Sequence, residues 1–298
     1  MGERADRVGA ELVAVITAVH NGVPLVLTTA EGHRLPAGPL QTEHRSMQAG
    51  MRSWVTQQTG YELGYIEQLY TFADRARGSF PVLEISYLGL TTVPEMTSSW
   101  HSWLEYFPWE DGRAEDDVIT GHLAPALAAW AQDTPDRELA ERRRLRCAVT
   151  FGLDGQPWLP GMALQRYELL YEAGLVPEAG AAPDPAVTGR PMERDHRRIL
   201  ATGIARLRAK IQYRPVIFEL VPESFTLGRL QATVEAVAGQ HLHKQNFRRL
   251  VEQQELVEET GEVDPTTGGR PAKLYRFRRA VLDEREAAGT KLPITRSR

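Results

Sequence analysis

The sequence is poor in cysteine, lysine and long apolar runs, and each shortage excludes something. Cys147 is the only cysteine, so an intrachain disulfide is excluded. A chain without disulfides fits a reducing compartment, and we expect a cytoplasmic protein. No apolar run comes near the ~20 residues that a membrane-spanning helix needs. The apolar run that follows the charged first ten residues is short, and we expect no signal peptide.

Lysine is confined to the second part of the chain, where the positive charge is also concentrated. The net charge is −4, but residues 1–189 hold 14 Lys and Arg against 25 Asp and Glu. Residues 190–298 hold 21 against 14, including all four lysines. A basic part joined to an acidic part suggests that only one of them meets a polyanion such as DNA. Uneven surface charge without a polyanionic partner is the alternative.

Hydrophobic patterns in the first part predict a layered α/β or α+β domain. Strands are predicted at 11–20, 23–29, 63–72 and 80–90, and helical patterns occur at 119–131 and 163–174. Between the second and third strands, a helix is predicted whose inward face holds Met47, Met51, Trp54 and Val55. Gly60 is placed to end this helix.

Two segments of unusual composition follow. Residues 96–117 are aromatic and acidic. They could form a helix that packs its rings onto the sheet, which we favour, or a stacking surface for a base or a partner. Residues 177–191 are rich in Ala, Pro and Gly and predict a linker. We therefore divide the chain into residues 1–178, a linker at 179–192, and residues 193–298.

The second part predicts three helices followed by a two-stranded wing. The first helix would be capped by Asp195, with an apolar side of Leu200, Ile204, Leu207 and Ile211 and a basic side of Arg197, Arg198, Arg206, Arg208 and Lys210. Residues 213–220 have strand character. Thr226 can cap the second helix, which Gly239 would end. The third helix lies at 243–254, and residues 256–277 fit two strands joined by a polar tip.

This arrangement is typical of a winged helix–turn–helix that reads the major groove of DNA. Lys and Arg can donate to guanine, and Gln and Asn pair with adenine. The candidate DNA-binding residues are Lys244, Gln245, Asn246, Arg248 and Arg249 on the third helix and Arg270 and Lys273 on the wing. An ordinary helical domain with a solvated basic face is the alternative. The wing and the charge asymmetry favour DNA binding.

Several longer motifs carry a family resemblance that covers nearly the whole chain. They are "DHRRILATGIARLRAKIQYRPVIFELVPESFTL" (195–227), "HKQNFRRLVEQQELVEETG" (243–261), "GGRPAKLYRF" (268–277), "IEQLYTF" (66–72) and "ISYLGL" (85–90). With these motifs the chain resembles the Nudix-related transcriptional regulators of NAD metabolism, the NrtR and NadQ type. "YFPWEDGR" (106–113) and "RYELLYEAGLVPEA" (166–179) look like the longer, NadQ-like branch. The resemblance implies a Nudix-like α/β/α sandwich at 1–178, which is an α+β fold, followed by a winged helix–turn–helix.

The Nudix signature G-x5-E-x7-R-E-U-x-E-E-x-G-U, in which U is a bulky apolar residue, has lost its acids here. Counted back from Gly60, its glutamates are replaced by Arg45, Trp54, Gln57 and Gln58, and its arginine by Ser53. Counted forward from Gly38, its first glutamate becomes His44 and its arginine is Arg52, but Gly60 then falls one residue late. Mg²⁺ prefers carboxylate oxygens. We therefore expect no catalytic residue, no metal and no cofactor.

The leading interpretation is a DNA-binding transcriptional regulator of NAD metabolism genes, and we expect a repressor. The resemblance implies an effector such as ADP-ribose, NAD(H) or ATP, and a homodimer on double-stranded DNA. His44, Arg45 and Arg52 are the candidate effector-binding residues, although they could simply be solvated on the outer face of the helix. A divergent Nudix hydrolase of a nucleoside diphosphate derivative is the alternative. A nucleotide-sensing module without DNA binding is a third possibility.

Overall fold

A mixed β-sheet lies at the centre of the first part of the chain. The computed structural model describes residues 9–61, 63–74, 82–93, 97–113, 118–180, 184–265, 271–278 and 280. The strands are β1 (Gly9–His20), β2 (Val23–Leu27), β3 (Ala37–Pro39), β4 (Tyr65–Asp74), β5 (Val82–Leu90), β6 (Trp100–Ser102), β7 (Val257–Asp264) and β8 (Ala272–Phe277). The helices are α1 (Met47–Thr59), α2 (Ala124–Gln132), α3 (Arg137–Phe151), α4 (Ala163–Glu172), α5 (Pro185–Thr188), α6 (His196–Lys210), α7 (Leu227–Ala238) and α8 (Lys244–Gln253).

The sheet has the order β4-β5-β1-β2-β6, and β3 pairs with the other end of β1. β1 and β5 run parallel, whereas the other neighbours are antiparallel. Asn21 and Gly22 join β1 to β2 with positive φ angles of 50° and 75°. These angles belong to the tight turn that an Asn-Gly pair predicts. The four strands predicted in the first part are confirmed, while the short strands β3 and β6 were missed.

The sheet is buried on both faces because a helix covers each one. Leu12 and Ile16 of β1 belong to the apolar cluster that includes Met51 of α1. Val13 and Val15 point to the other face and belong to the cluster that contains α6. The predicted α/β/α sandwich is therefore formed by α1, the sheet and α6, and α6 lies beyond residue 178, where the sandwich was predicted to end.

Helix α1 ends at the predicted residue, and Ser46 caps its start. The Ser46 side chain accepts a hydrogen bond from the Ala49 N–H at 3.1 Å, and Gly60 ends the helix in the left-handed conformation with φ 76°. Met51 and Val55 are fully buried, but Met47 is 39% exposed. The predicted apolar face is therefore confirmed at Met51 and Val55, but it does not extend back to Met47 in the first turn.

Helix α6 forms the second outer layer of the sandwich. A Cβ atom at Gly203 would lie 2.7 Å from Val15 Cγ1, so glycine lets this helix approach β1 closely. The predicted apolar residues Leu200, Ile204 and Leu207 are fully buried, but Asp195 makes no side-chain hydrogen bond to the start of the helix. The contacts between α6 and the sheet of the first part cross the predicted domain boundary at 193. That boundary remains a prediction.

The aromatic segment packs inward, as favoured. Trp100, Trp103, Tyr106, Phe107 and Trp109 are each at most 4% exposed. The predicted helix is wrong, since the segment contains β6 and two 3-10 turns, Trp103–Glu105 and Pro108–Glu110. The Arg197 guanidinium lies within 5.2–5.6 Å of the ring centroids of Phe107, Trp109 and Tyr167. These rings therefore stack on an internal cation of the protein.

One further predicted element was wrong, and one helix was missed. Residues 213–220 contain the 3-10 helix Val216–Leu220 instead of a strand. Val216, Ile217 and Leu220 are buried, and this spacing suits a helical turn. Helix α3 was missed because its sequence is mostly polar and its apolar periodicity is weak. Among the described residues, no helix combines the length and apolar character needed to cross a membrane.

Candidate nucleic-acid interface and ligand cavity

Helices α7 and α8 form a helix–turn–helix with a closely held turn. Thr226 caps α7 by accepting a hydrogen bond from the Arg229 N–H at 3.1 Å. Gly239 ends α7 in the left-handed conformation with φ 68°. The Glu235 carboxylate then accepts from the Leu242 N–H at 2.9 Å and from Gln231 at 2.8 Å. These contacts fix the direction in which α8 leaves the turn, and they confirm the predicted cap and end of α7.

Helix α8 presents the predicted polar residues to solvent. Phe247 packs against the core and Val251 is 5% exposed, so these two residues face inward. Leu250, three residues after Phe247, is 55% exposed. Lys244, Gln245, Asn246, Arg248 and Arg249 are all exposed, and within the described residues no side-chain partner holds them. Free cationic and amide groups on one outward helix are what recognition of base edges and phosphates requires.

The wing is present as the antiparallel pair β7 and β8. Phe225 and Tyr275 exchange backbone hydrogen bonds of 2.9 and 2.8 Å, which attach the wing to the segment before α7. Lys273 forms an ion pair with Glu259, with Nζ 2.8 Å from Oε1. Arg270 lies outside the described residues. The roles of Lys273 and Arg270 in DNA binding therefore remain predictions.

The basic side chains of α6 form ion pairs with acidic residues of the first part of the chain. Arg206 and Lys210 both pair with Glu67 of β4. Arg208 is fully buried and bonds Glu110, as does Arg166, whose Nε lies 2.6 Å from Glu110 Oε1. Much of the positive excess of the second part is thus matched internally, which leaves α8 as a solvent-facing basic element.

The buried Glu110 joins the first part of the chain to the helix–turn–helix. Arg208 Nε donates to the Val237 carbonyl of α7 at 2.8 Å, and Arg208 Nη2 donates to the Glu110 carbonyl at 2.9 Å. The Gly112 N–H donates to the Gly239 carbonyl at 2.9 Å. Burial lowers the pKa of Arg208, and the Glu110 carboxylate opposes that shift. The C-terminal end of α7 is therefore fixed to the sandwich by hydrogen bonds to buried groups.

Polar groups of α1 are bonded directly to β3 at the positions where the Nudix signature has acids. The Gln58 side chain accepts from the Ala37 N–H at 3.2 Å and donates to the Ala37 carbonyl at 2.6 Å. The Trp54 indole donates to the Pro39 carbonyl at 3.0 Å and lies against Gly38, where a Cβ would come within 2.3 Å of the ring. These side chains thus fill the seam, which is the contact region between α1 and β3.

A cavity of about 350 Å³ lies beside this seam, at the start of α6. It is lined by Glu11, Thr29, Ala30, Arg34, Leu35, Ala37, Gln58, Arg194 and His196. None of the predicted effector residues lines this cavity. His44 lies against Gly50 and the edge of Trp54, Arg45 is exposed, and Arg52 donates to the carbonyls of Leu63 and Gly64.

His196 is a neutral side chain at the cavity wall. It is 1% exposed, and its Nδ1 accepts the Leu35 N–H at 2.8 Å. Because Nδ1 accepts, the ring proton lies on Nε2. Burial, together with the nearby Arg194 and Arg34 guanidinium groups, lowers the pKa of His196 to about 4, and Glu193 opposes this shift. Sequence reasoning missed Arg34, Arg194 and His196, which share no motif or spacing.

Comparison with known proteins finds a match to one segment of the second part of the chain. Residues 217–277 match the family described as the NrtR DNA-binding winged helix domain. This segment, 61 of the 298 residues, is similar to an NrtR-type winged helix domain. The "ADPR responsive transcriptional repressor NtrR" of Acinetobacter baylyi is 41% identical over 83 residues, which are 28% of this chain and 33% of that protein. The match therefore spans about a third of the relative's length.

The fold of the chain is similar to that of solved structures over most of its length. NrtR of Shewanella oneidensis in complex with a 27mer DNA matches with a TM-score of 0.53 and 19% identity, over 92% of this chain and 95% of that one. A MutT/nudix family protein from Enterococcus faecalis matches with a TM-score of 0.52 and 15% identity, over 93% of this chain and 89% of that one. At these identities the likeness establishes the fold, a Nudix-like sandwich followed by a winged helix.

Proposed function

We propose that this protein is a DNA-binding transcriptional regulator, and specifically a repressor of NAD metabolism genes. The observation that carries the proposal is the outward face of α8 in an NrtR-type winged helix domain. Its lysine, arginine, glutamine and asparagine side chains are exposed and without partners in the described part of the chain. Gln245 and Arg249 lie one helical turn apart, away from the partly buried Phe247 and the buried Val251, and can enter a major groove together.

We infer that the first part senses a metabolite, and that ADP-ribose is the best candidate. The relative from Acinetobacter baylyi is described as ADPR responsive, and 41% identity over 83 residues supports a related role here. The protein would bind its operator as a homodimer, since winged-helix regulators usually read palindromic sites. Ligand and DNA would then change each other's affinity by the same factor.

The first part would bind its effector without hydrolysing it. Hydrolysis through Mg²⁺ needs several carboxylates on α1, and this helix offers Trp54, Gln57 and Gln58 at those positions. Trp54 and Gln58 already bond the backbone of β3, so the groups that face this seam are engaged with protein. We infer the loss of catalysis from these contacts.

The test is a mobility-shift assay with the full chain on DNA upstream of its own gene and of neighbouring genes, with and without ADP-ribose, NAD, NADH and ATP. We expect a shifted complex with one of these DNAs and a change in its affinity with ADP-ribose. The same preparation is incubated with ADP-ribose and Mg²⁺, and AMP release is measured. Absence of any specific shift would contradict the proposal, and rapid release of AMP would favour the hydrolase.

A further inference from the structure

Two carbonyl groups at the C-terminal end of α7 are bonded by residues from other parts of the chain. Arg208 Nε of α6 donates to the Val237 carbonyl at 2.8 Å, and the Gly112 N–H donates to the Gly239 carbonyl at 2.9 Å. The last carbonyls of a helix have no partner within the helix, and a cation close to them is favourable. Arg208 therefore both satisfies the end of α7 and ties it to α6.

The Arg208 guanidinium is itself held in one orientation. Its Nη1 group bonds the Glu110 carboxylate and donates to the Pro160 carbonyl at 3.2 Å, and its Nη2 group donates to the Glu110 carbonyl at 2.9 Å. Arg208 and Glu110 are fully buried. The guanidinium carbon lies 5.5 Å from the centroid of the Trp158 ring. All three guanidinium nitrogens are thus engaged, and the direction of Arg208 toward α7 is set by the fold.

A buried ion pair of this kind is better suited to specifying an arrangement than to adding stability. The cost of moving two charges out of water offsets much of their attraction, so a buried pair is weak evidence for stability. Its hydrogen bonds are nevertheless directional. Arg166 shares the Glu110 carboxylate, but within the described residues its other bonds go to three carbonyls between residues 150 and 160. Arg208 is the member of this cluster that bonds α7.

The end of α7 sets the direction of α8. Glu235, in the last turn of α7, accepts from the Leu242 N–H at 2.9 Å, so the turn that leads to α8 is bonded back onto α7. Phe247 and Val251 of α8 belong to the same apolar cluster as the buried side of α7. The two helices therefore form one unit, and Arg208 fixes that unit on the sandwich.

We propose that Arg208 is a positioning residue for DNA recognition, which holds the helix–turn–helix on the sandwich so that α8 of each copy meets its half-site in one orientation. The inference rests on the proposed function, because it requires a homodimer on a palindromic operator. When the two copies pair through their sandwiches, the two α8 helices keep a fixed separation only if each helix–turn–helix is fixed to its own sandwich.

This role predicts a dependence of DNA affinity on the spacing between the half-sites. Two base pairs inserted between them shift one half-site by about 7 Å and rotate it by about 70° about the helix axis of the DNA. A helix–turn–helix that is fixed to the sandwich cannot follow this change, whereas one that is released can. Loss of the Arg208 contact should therefore reduce the discrimination between the two spacings, while each α8 keeps the contacts to its own half-site.

Fluorescence anisotropy of the full chain tests the prediction with three DNAs. They are the operator, located by footprinting of the fragment shifted in the mobility assay, the same operator with two base pairs inserted at its centre, and a single half-site. We expect the wild type to bind the altered operator at least about tenfold more weakly than the operator. Arg208→Lys should reduce this ratio to below about threefold, because lysine lacks the planar fork that bonds Glu110 and Val237 in fixed directions. Its affinity for the single half-site should stay within about twofold of the wild type.

Arg166→Lys is the matched control, since Arg166 is equally buried and also bonds Glu110. It should lower Tm as Arg208→Lys does, and it should keep the discrimination of the wild type between the two spacings. Circular dichroism and Tm show that each variant is folded at the temperature of the assay. If Arg208→Lys does not fold, Gly239→Ala takes its place. Its Cβ would overlap the Glu110 carbonyl and push α7 away without removing a charge.

Three results would overturn the proposal. The first is unchanged discrimination between the spacings in Arg208→Lys, which is also expected if the copies pair through their winged helix domains. The second is an equal loss of discrimination in Arg166→Lys, which would leave Arg208 a purely structural role. The third is a loss of affinity for the single half-site in Arg208→Lys, which would place the defect within the helix–turn–helix.

The wild type separates this proposal from the proposed function. Absence of any DNA binding by the wild type rejects the proposed function itself. A wild type that binds the operator and the altered operator equally well rejects the positioning role alone.

Discussion

At the scale of single residues, Gln58 uses a property that glutamate lacks. Its amide both donates to and accepts from the Ala37 backbone, which ties the end of α1 to β3. A carboxylate can accept from the Ala37 N–H, but it would place a second acceptor against the Ala37 carbonyl unless a cation lay between them. The amide therefore replaces a metal-binding arrangement with a direct hydrogen-bonded contact.

This contact predicts a difference between two neighbouring substitutions. We expect Gln58→Glu to lower the free energy of unfolding by about 0.5–1.5 kcal/mol, because one hydrogen bond is lost and an acceptor pair is created at a solvent-exposed site. Gln57→Glu is the matched control, since Gln57 is exposed and the same charge is added near the same helix end. Urea unfolding measures both. Equal effects of the two changes would show that the Ala37 bonds contribute nothing.

His196 predicts a dependence of stability on pH. Its folded-state pKa of about 4 lies below the ordinary value of 6.5, so the unfolded chain takes up a proton first as the pH falls. Its contribution is complete above pH 6.5 and is lost between pH 6.5 and 4, by on the order of 3 kcal/mol. We expect the difference in unfolding free energy between wild type and His196→Asn to shrink over this range. If the unfolding free energies of the two proteins changed in parallel with pH, His196 would not have the lowered pKa.

Arg249 is an outward residue of α8 that can donate to a base edge. Arg249→Ala should weaken operator binding by about 1–3 kcal/mol if it donates to a guanine, and the loss should be smaller on unrelated DNA. Arg248→Ala should also weaken binding. Arg137→Ala, an exposed arginine of α3, is the control and should leave the affinity unchanged. Fluorescence anisotropy measures the affinity of each variant for the operator and for unrelated DNA. Unchanged binding in both α8 variants would refute α8 as the recognition helix.

At the scale of elements, the sequence predicted those with a strong period or a marked end. β1 is a long β-branched run, α7 has a threonine cap and a terminal glycine, and both are confirmed. β3 and β6, of three residues each, have no period to detect, and the buried turn of residues 216–220 depends on tertiary packing. For the same reason the cavity was missed, because Arg34 and His196 meet only when α6 lies on the sheet.

The junction between the sandwich and α7 predicts an unusually costly glycine substitution. A Cβ at Gly239 would lie 2.3 Å from the Glu110 carbonyl oxygen, and φ is 68°. Gly60 has a similar φ of 76° but open space around its Cβ position. We expect Gly60→Ala to cost about 1–2 kcal/mol for the left-handed backbone alone. Gly239→Ala should cost more, because α7 must also move away from residue 110. Thermal unfolding measures the loss of stability in both variants. Equal losses would show that α7 and residue 110 move apart at no cost in stability.

At the scale of the whole molecule, the division of charge has two separate uses. Arg206 and Lys210 of α6 pair with Glu67 of β4, and Arg197 pairs with Glu178, so part of the basic excess holds α6 on the acidic sandwich. On α8 the basic side chains remain exposed. The sequence shows the charge asymmetry, but it does not show which basic residues form internal ion pairs. Those partners come together only when the chain folds.

This division predicts how DNA affinity responds to salt. Each phosphate neutralised contributes about −0.9 to the slope of log K against log salt concentration. With Lys244 and Arg248 on phosphates in both copies of a homodimer, the slope should be at least about −3 to −4. Arg248→Ala should reduce its magnitude by roughly one for each copy, whereas Arg206→Ala should leave it unchanged, since Arg206 is held by Glu67. Anisotropy titrations from about 50 to 200 mM salt measure the slopes. If Arg206→Ala lowered the slope as much as Arg248→Ala, α6 would belong to the DNA-binding surface and the ion pairs would open on binding.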